Sequence, residues 1–331
     1  MTSEAPAPSF RHRLEYAAIV GVGAVVRLLP WRVAVACGRG LGLVFYAVDR
    51  SHRRLTIENL AAGFPHRPPA EHVAIARRVF AHFGELLVEL LRFGSLSHDE
   101  IRARVEFDGE ERLEEAHALG RGVVLITGHF GFWELNALAH GLMLRPIALV
   151  ARPLDNPLLH ALLERVRSST GNHVIYRHRG LRRIMRALAA NEGVAMLIDQ
   201  HIQAADAVVV DFFDRPAATT SAVAAIALKT GAPVIPVFAL PIGHGRYRMV
   251  YEHPVQPPAP DASDPIREFT QRCTDVLEMY VRRYPHLWLW MHRRWRDPAD
   301  LGTPGMFPRA GAAEGTGEGA GERVGGREPD A

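Results

Sequence analysis

Cysteine and lysine are almost missing from this 331-residue chain, which holds two cysteines, Cys37 and Cys273, and a single lysine, Lys229. Two thiols with neither a CxxC nor a zinc-type spacing exclude a disulfide framework and a cysteine-built metal site. Both are expected as core thiols in a reducing compartment. The positive charge therefore rests on arginine, a bias of base composition first, although a planar guanidinium also suits phosphate. An excess of one charge is lacking too. The 39 basic and 36 acidic residues leave a formal charge of +3, with no long basic run, so no nucleic-acid partner is expected. Nor is there a repeat, or an uninterrupted apolar stretch of the ~18 residues a confident spanning helix needs. A polytopic membrane protein is thereby excluded, and 48% apolar with 8% aromatic content excludes a wholly disordered chain.

What is present changes character along the chain. Residues 16–26 (YAAIVGVGAVV) and 33–48 form two apolar stretches interrupted by Arg27 and Arg32, a poor match to a cleaved signal peptide. They read as a helical hairpin, either buried or lying in a membrane as an anchor. Helical periodicity continues from residue 50 to residue 92, broken near Pro65, Pro68 and Pro69. Beyond residue 123 come short β-branched runs: VVLIT (123–127), IALVA (147–151), HVIY (173–176), VAMLI (194–198), VVVDFF (208–213), PVIPVFAL (233–240) and YRMVYE (247–252). Helical stretches at 156–168, 181–190 and 219–230 separate them. That alternation predicts an α/β fold with a mostly parallel central sheet of about seven strands flanked by helices, the last two runs forming an antiparallel hairpin at one edge. Three regions are expected: residues 1–48 as an N-terminal membrane-anchor hairpin, 49–297 as the α/β domain, and a Gly, Ala, Glu and Pro-rich disordered tail at 298–331.

The sharpest local signal is T127-G-H-F-G-F-W-E134, where a strand ends and a helix begins. In a parallel sheet, that edge binds ligands. On one continuous helix His129 and Glu134 would point ~140° apart. With His129 in the turn and Glu134 in the first helical turn, the carboxylate can instead reach an imidazole nitrogen, fixing its tautomer and raising the basicity of the other. Such a dyad suits deprotonation of a hydroxyl, and no G-x-S-x-G elbow supplies a covalent nucleophile. The competing reading makes His129 a strand-end residue and Glu134 an acid placed by the helix dipole. A metal-dependent hydrolase built on His129, Glu134, Asp199 and His201 is a third reading, and the H-E-x-x-H spacing it would need is absent. No metal or cofactor is expected.

Two more strand ends carry polar residues, Arg152 before a Pro-rich turn and Asp199-Gln200-His201, so Arg152 is an available partner for Asp199. Arg177, Arg179, Arg182 and Arg183 surround a helix start and could hold phosphate. The segment 287–296 (LWLWMHRRWR) mixes tryptophans with cations, either as an interfacial segment or as core.

These residues resemble the bacterial lipid A biosynthesis (late) acyltransferases, within the lysophospholipid acyltransferase superfamily. His129 to Glu134 is similar to the H-x4-D/E signature, and blocks at 152–158, 199–201, 217–237 and 288–295 follow in the family's order. His201 departs from the acid common in relatives, and Asp211 from an uncharged residue. The resemblance implies an inner-membrane enzyme with its site facing the cytoplasm. It would transfer an acyl chain from acyl carrier protein to a hydroxyl of a lipid A precursor or related glycolipid. His129 is then the general base and Glu134 its orienting acid, while Arg152, Asn156 and Asp199 bind substrate or serve the site. Phe130, Phe132, Trp133, Phe212 and Phe213 are expected to line an acyl tunnel. The alternatives are a phosphatidylinositol mannoside or other glycolipid acyltransferase using acyl-CoA, and a non-catalytic glycolipid-binding protein.

Overall fold

The computed structural model describes residues 8–176, 180–202 and 207–296. Arg177, Arg179 and the tail expected at 298–331 lie outside the described residues. Four helices come first, α1 (Phe10–Leu28), α2 (Trp31–Val48), α3 (Arg50–Gly63) and α4 (Pro69–Phe93), and a short α5 (His98–Arg102) follows. Then come β1 (Val105–Asp108), α6 (Glu110–Ala118), β2 (Val123–Thr127), α7 (Trp133–Met143), β3 (Ile147–Ala151), α8 (Pro157–Ser168), β4 (His173–Tyr176), α9 (Leu181–Ala189) and β5 (Gly193–Leu197). The chain continues through β6 (Ala207–Asp211), β7 (Pro216–Thr220), α10 (Ala222–Thr230), β8 (Val234–Gly243), β9 (Arg246–Tyr251) and α11 (Pro265–Arg283), ending in a short 3-10 turn at Pro285–Leu287.

Local chemistry sets the boundaries. Asp49 caps α3 by accepting from the His52 N–H, and Asp264 caps α11 by accepting from Arg267 N–H ahead of Pro265. Pro68 and Pro69 end the preceding turn and start α4, because proline at the first helical position gives up a donor that had no partner there. β2 is apolar on both faces, as a strand covered on both sides must be.

The seven-stranded sheet runs β1-β9-β8-β2-β5-β3-β4. Strands β8, β2, β5, β3 and β4 are mutually parallel, while β9 is antiparallel to β8 and carries β1 parallel to itself. The α/β class and the mostly parallel sheet agree with the sequence reading, but the membership differs. The run VVVDFF leaves the main sheet and pairs with β7 in a separate two-stranded hairpin. Its place is taken by β1, whose four-residue VEFD sequence alternates apolar and charged residues but is too short and too charged to stand out beside the β-branched runs. β1, and not the β8-β9 hairpin, is therefore the edge.

One face of the sheet, with Leu125, Leu149, Ile235 and Val237, packs on α4 and α7. The other, with Ile126, Ala148 and Met196, packs on α9, α10 and α11. The hairpin α1-α2 rests on α4. At that crossing a Cβ on Gly84 would collide with the Gly38 carbonyl, and one on Gly42 with the Phe80 carbonyl. Backbone therefore lies on backbone, an approach that only glycine permits. The outer side of the hairpin remains apolar and exposed, with Leu14, Val25, Leu28, Leu41, Val44 and Val48 among its residues. Among the described residues α2 alone is long and apolar enough to cross a membrane by length and composition, with a mean hydropathy of 1.3. Cys37, on this helix, is exposed where a core thiol was expected, whereas Cys273 is buried.

Candidate active site

β2 delivers Thr127 to the C-terminal edge of the sheet, and the chain turns through Gly128 and His129 before α7 begins at Trp133. The C-terminal segment fixes this turn: Leu289 N–H donates to the His129 carbonyl at 3.1 Å and Gly131 N–H to that of Leu287 at 2.9 Å. Separated from β2 by two strands in sequence but adjacent to it in the sheet, β5 delivers Asp199 to the same edge.

Asp199 is the carboxylate that meets His129. Its Oδ1 lies 2.8 Å from the His129 Nδ1, and its Oδ2 accepts from the His129 backbone N–H at 2.7 Å and from Trp288 Nε1 at 2.9 Å. An ionised carboxylate can only accept, so the ring proton sits on Nδ1 and the free lone pair on Nε2. Nε2 faces the open side, where Gln200 Nε2 makes a long approach of 3.5 Å. The His129 side chain is 20% exposed and that of Asp199 2%, so the acid is sealed and the ring remains reachable. Burial alone would disfavour the imidazolium, but the charge and hydrogen bond of Asp199 outweigh it and raise the ring above its usual pKa of 6.5. Burial likewise pushes the Asp199 carboxyl up, and its bonds to His129 and Trp288 overcome this and hold it low. Trp133 stacks edge-on against the ring, with centroids 5.2 Å apart.

Glu134, expected to orient His129, sits in the first turn of α7 but is gripped elsewhere. Its two oxygens accept from Nε (2.9 Å) and Nη2 of Arg167, which lies in the last turn of α8. The physical reason is direction: a side chain in the first turn of α7 projects toward the flanking helix, and a bidentate guanidinium there outcompetes a single ring nitrogen. Arg152 does not partner Asp199 either. It is 80% exposed at the rim, 3.9 Å from Asp155. Asn156 has no valence left for a substrate. Its Oδ1 caps α8 through Leu158 N–H and Leu159 N–H, while Nδ2 donates to His12 O and Glu15 Oε2, tethering α1. Arg182 and Arg183 are exposed on α9, and Arg183 donates to Val174 O at 3.2 Å.

A cavity of about 1050 Å³ opens beside His129, lined mainly by aliphatic side chains of β2, β3, β5, α7, α9 and α10, with Trp133, Glu134, Arg152, Arg167 and Gln200. Of the aromatics expected to line a tunnel, only Trp133 does so. Phe130, Phe132, Phe212 and Phe213 are buried in the core instead. Trp288 and Trp290 are also core, so the segment 287–296 is not interfacial. Among the described residues no group of three or more His, Cys, Asp or Glu side chains is gathered as a metal ion would need. Sequence reasoning missed two site residues, Trp288 and Arg167. Trp288 was legible as one of two options for its segment, but Arg167 lies in a run of charged helix residues with nothing to single it out.

The sequence pattern of the family described as bacterial lipid A biosynthesis acyltransferase matches residues 5–297. The lipid A biosynthesis myristoyltransferase of Escherichia coli K12 is 25% identical over 301 residues, covering 88% of this chain and 91% of the relative. The lipid A biosynthesis lauroyltransferase of the same organism is 27% identical over 291 residues, covering 87% and 93%. The phosphatidylinositol mannoside acyltransferase of Mycolicibacterium smegmatis is 24% identical over 234 residues, covering 69% and 75%.

Proposed function

The chain belongs to the bacterial lipid A biosynthesis acyltransferase family, and from that premise we propose that it moves a fatty acyl chain from acyl carrier protein to a hydroxyl of an under-acylated lipid A precursor. The observation that carries this reading is the His129–Asp199 pair standing at an apolar cavity of about 1050 Å³. A base with its lone pair on Nε2 accepts the proton of the acceptor hydroxyl. The oxygen attacks the thioester carbonyl carbon, and the tetrahedral intermediate collapses with cleavage of the C–S bond. The imidazolium returns its proton to the departing thiolate, so the products are an ester and a free thiol. Asp199 holds the ring in the productive tautomer and stabilises the imidazolium, the part an orienting acid plays in a hydrolase triad. Glu134 acts through its bridge to Arg167, which ties α7 to α8 and shapes the wall beside the reacting groups.

Arg152 at the rim, with Arg182 and Arg183 on α9, supplies cations for a phosphorylated acceptor. The exposed apolar side of α1 and α2 supports placement at a membrane, and a carrier-protein donor makes this, in our reading, the inner membrane with the site toward the cytoplasm. The likeness to the mannoside acyltransferase favours a second acceptor class, a phosphatidylinositol mannoside; in that second reading the donor is acyl-CoA.

The test is incubation of the wild type and His129→Ala in membranes with a saturated acyl-carrier-protein thioester and an under-acylated lipid A precursor, read by mass spectrometry. One added chain with the wild type and none with the variant is the expected result. Transfer only to the mannoside, or only from acyl-CoA, would select the second reading. Undiminished transfer by His129→Ala would overturn the role of the ring.

A further inference from the structure

The positive charge of the chain is not spread along it. Of the 39 basic and 36 acidic residues, eight arginines and two acids, Glu15 and Asp49, fall within residues 10–54, which hold α1, α2 and the start of α3. That segment carries a formal +6, so within a total of +3 the remainder carries −3. Seven of the eight arginines are exposed, and Arg53 is half-buried. Three of the exposed ones face carboxylates, Arg11 with Glu15, Arg39 with Glu85 and Arg54 with Glu58. Among the described residues the other four, Arg13, Arg27, Arg32 and Arg50, have no acid at ion-pair distance, and Arg27 meets only the Leu91 carbonyl, at 3.4 Å.

Their positions run against the helix dipoles. Arg13, Arg32 and Arg50 lie in the first turns of α1, α2 and α3, and none of these turns contains an acid. A helix N-terminus is the positive end of its dipole and opposes a cation there. Helices α4, α5, α6 and α7 follow the ordinary rule and carry Glu71, Asp99, Glu110 and Glu134 in their first turns. Of the four unpaired arginines only Arg27, in the last turn of α1, is placed where the dipole favours it. Dipoles and guanidinium groups therefore add to one positive field around the hairpin instead of cancelling. Between Arg13 and Arg27 on α1 stand the exposed Val20 and Val25, and between Arg32 and Arg50 the exposed Leu41 and Val44 of α2.

Oily rows bounded at their ends by unpaired cations match a bilayer with negative headgroups. The aliphatic side chains enter the acyl region while the guanidinium groups stay level with the phosphates. A second copy of the chain does not match, because its like surface would bring +6 against +6. We propose that the outer side of α1 and α2 is a docking face for anionic phospholipid, with Arg13, Arg27, Arg32 and Arg50 selecting such a bilayer over a zwitterionic one. This deepens the membrane placement above and rests on it.

The experiment sediments the full chain with vesicles of phosphatidylcholine alone or of an equal mixture with phosphatidylglycerol. At low salt the wild type is expected to partition about 10²- to 10³-fold more strongly to the anionic vesicles, at roughly fivefold for each unpaired arginine. High salt should remove most of that preference. The combined variant Arg13→Gln, Arg27→Gln, Arg32→Gln and Arg50→Gln should bind both vesicles alike, with its thermal transition unchanged because all four side chains are exposed. Should that transition fall, the double variant Arg13→Gln and Arg50→Gln reads a loss of roughly 25-fold in the same direction. Equal binding of the wild type to both vesicles, or a preference kept intact by the folded variant, would overturn the inference while leaving the membrane placement standing. Binding to neither vesicle would bring down the placement and the inference together, whether the chain then sediments as a monomer or pairs with a second copy.

Discussion

Two charge pairs sit within one turn of each other at the edge of the chamber, and they do different work. His129–Asp199 joins an accessible ring to a sealed acid. Glu134–Arg167 joins two largely buried partners, with side chains 10% and 17% exposed. An arginine keeps its proton at every working pH, so the second pair is a fixed bridge. Each of its partners also lies at the end of its own helix that favours its charge, the acid in the first turn of α7 and the cation in the last turn of α8. The first pair can take up a proton and release it, whereas the second cannot. Their fields meet at the His129 ring, where Glu134 favours the charged form and Arg167 opposes it. Identity as a histidine or an acid therefore says less about catalysis than the partner each is given.

The division of labour between the two pairs depends most heavily on Asp199. Asp199→Asn keeps an oxygen for Trp288 and the His129 backbone N–H but turns an amide toward Nδ1, which imposes the wrong tautomer. A fall in kcat of roughly 10²- to 10⁴-fold, with a near-native thermal transition, is expected from steady-state assays. The other pair should respond in stability instead. Arg167→Met strands a buried carboxylate and should cost about 3–5 kcal/mol in denaturant unfolding, while replacing both partners by leucine should recover most of that loss. Glu134→Gln, by the same logic, should lower kcat by less than the ~10²-fold a lost acid–base group costs.

Trp288→Phe removes one donor from the Asp199 carboxylate, for which unfolding measurements should register about 1.5–3 kcal/mol. The smallest effect is a displacement along the pH axis. Since the base must be unprotonated and its pKa is raised, kcat/KM should climb with pH through a midpoint above 6.5. The same sign governs folding: the contribution of His129 is complete below its unfolded pKa and fades as pH rises through the raised folded value. That of Asp199, whose pKa is depressed, is complete above its unfolded value and fades as pH falls through the folded one.

Continuous apolar runs made the central strands legible, because β2, β3 and β5 are covered on both faces and leave that imprint in the sequence. β1 and β7 left none. VEFD is short and half charged, and PAATT is built of small residues whose strand state depends on pairing with β6. His129 was legible from its place after a strand. Its partner was not assignable from spacing, since Asp199 comes beside it only through the β2-β5 register, 70 residues on. The nearer acid in sequence was drawn away by Arg167, which no local pattern marks. Asn156 illustrates the opposite case: a residue set among site blocks proves to be a helix cap whose every valence is used within the protein.

The backbone contact of Gly42 and Gly84 has a bearing on delivery. With α2 seated on α4 there and α1 moored to α8 through Asn156, the oily outer rows of the hairpin and the opening beside His129 are parts of one rigid piece. A surface that takes up those rows aims the opening at the same time. On the proposed reading, acceptors spread in a bilayer would meet the opening at one fixed height and angle, and selection among them would follow where along the molecule the hydroxyl stands.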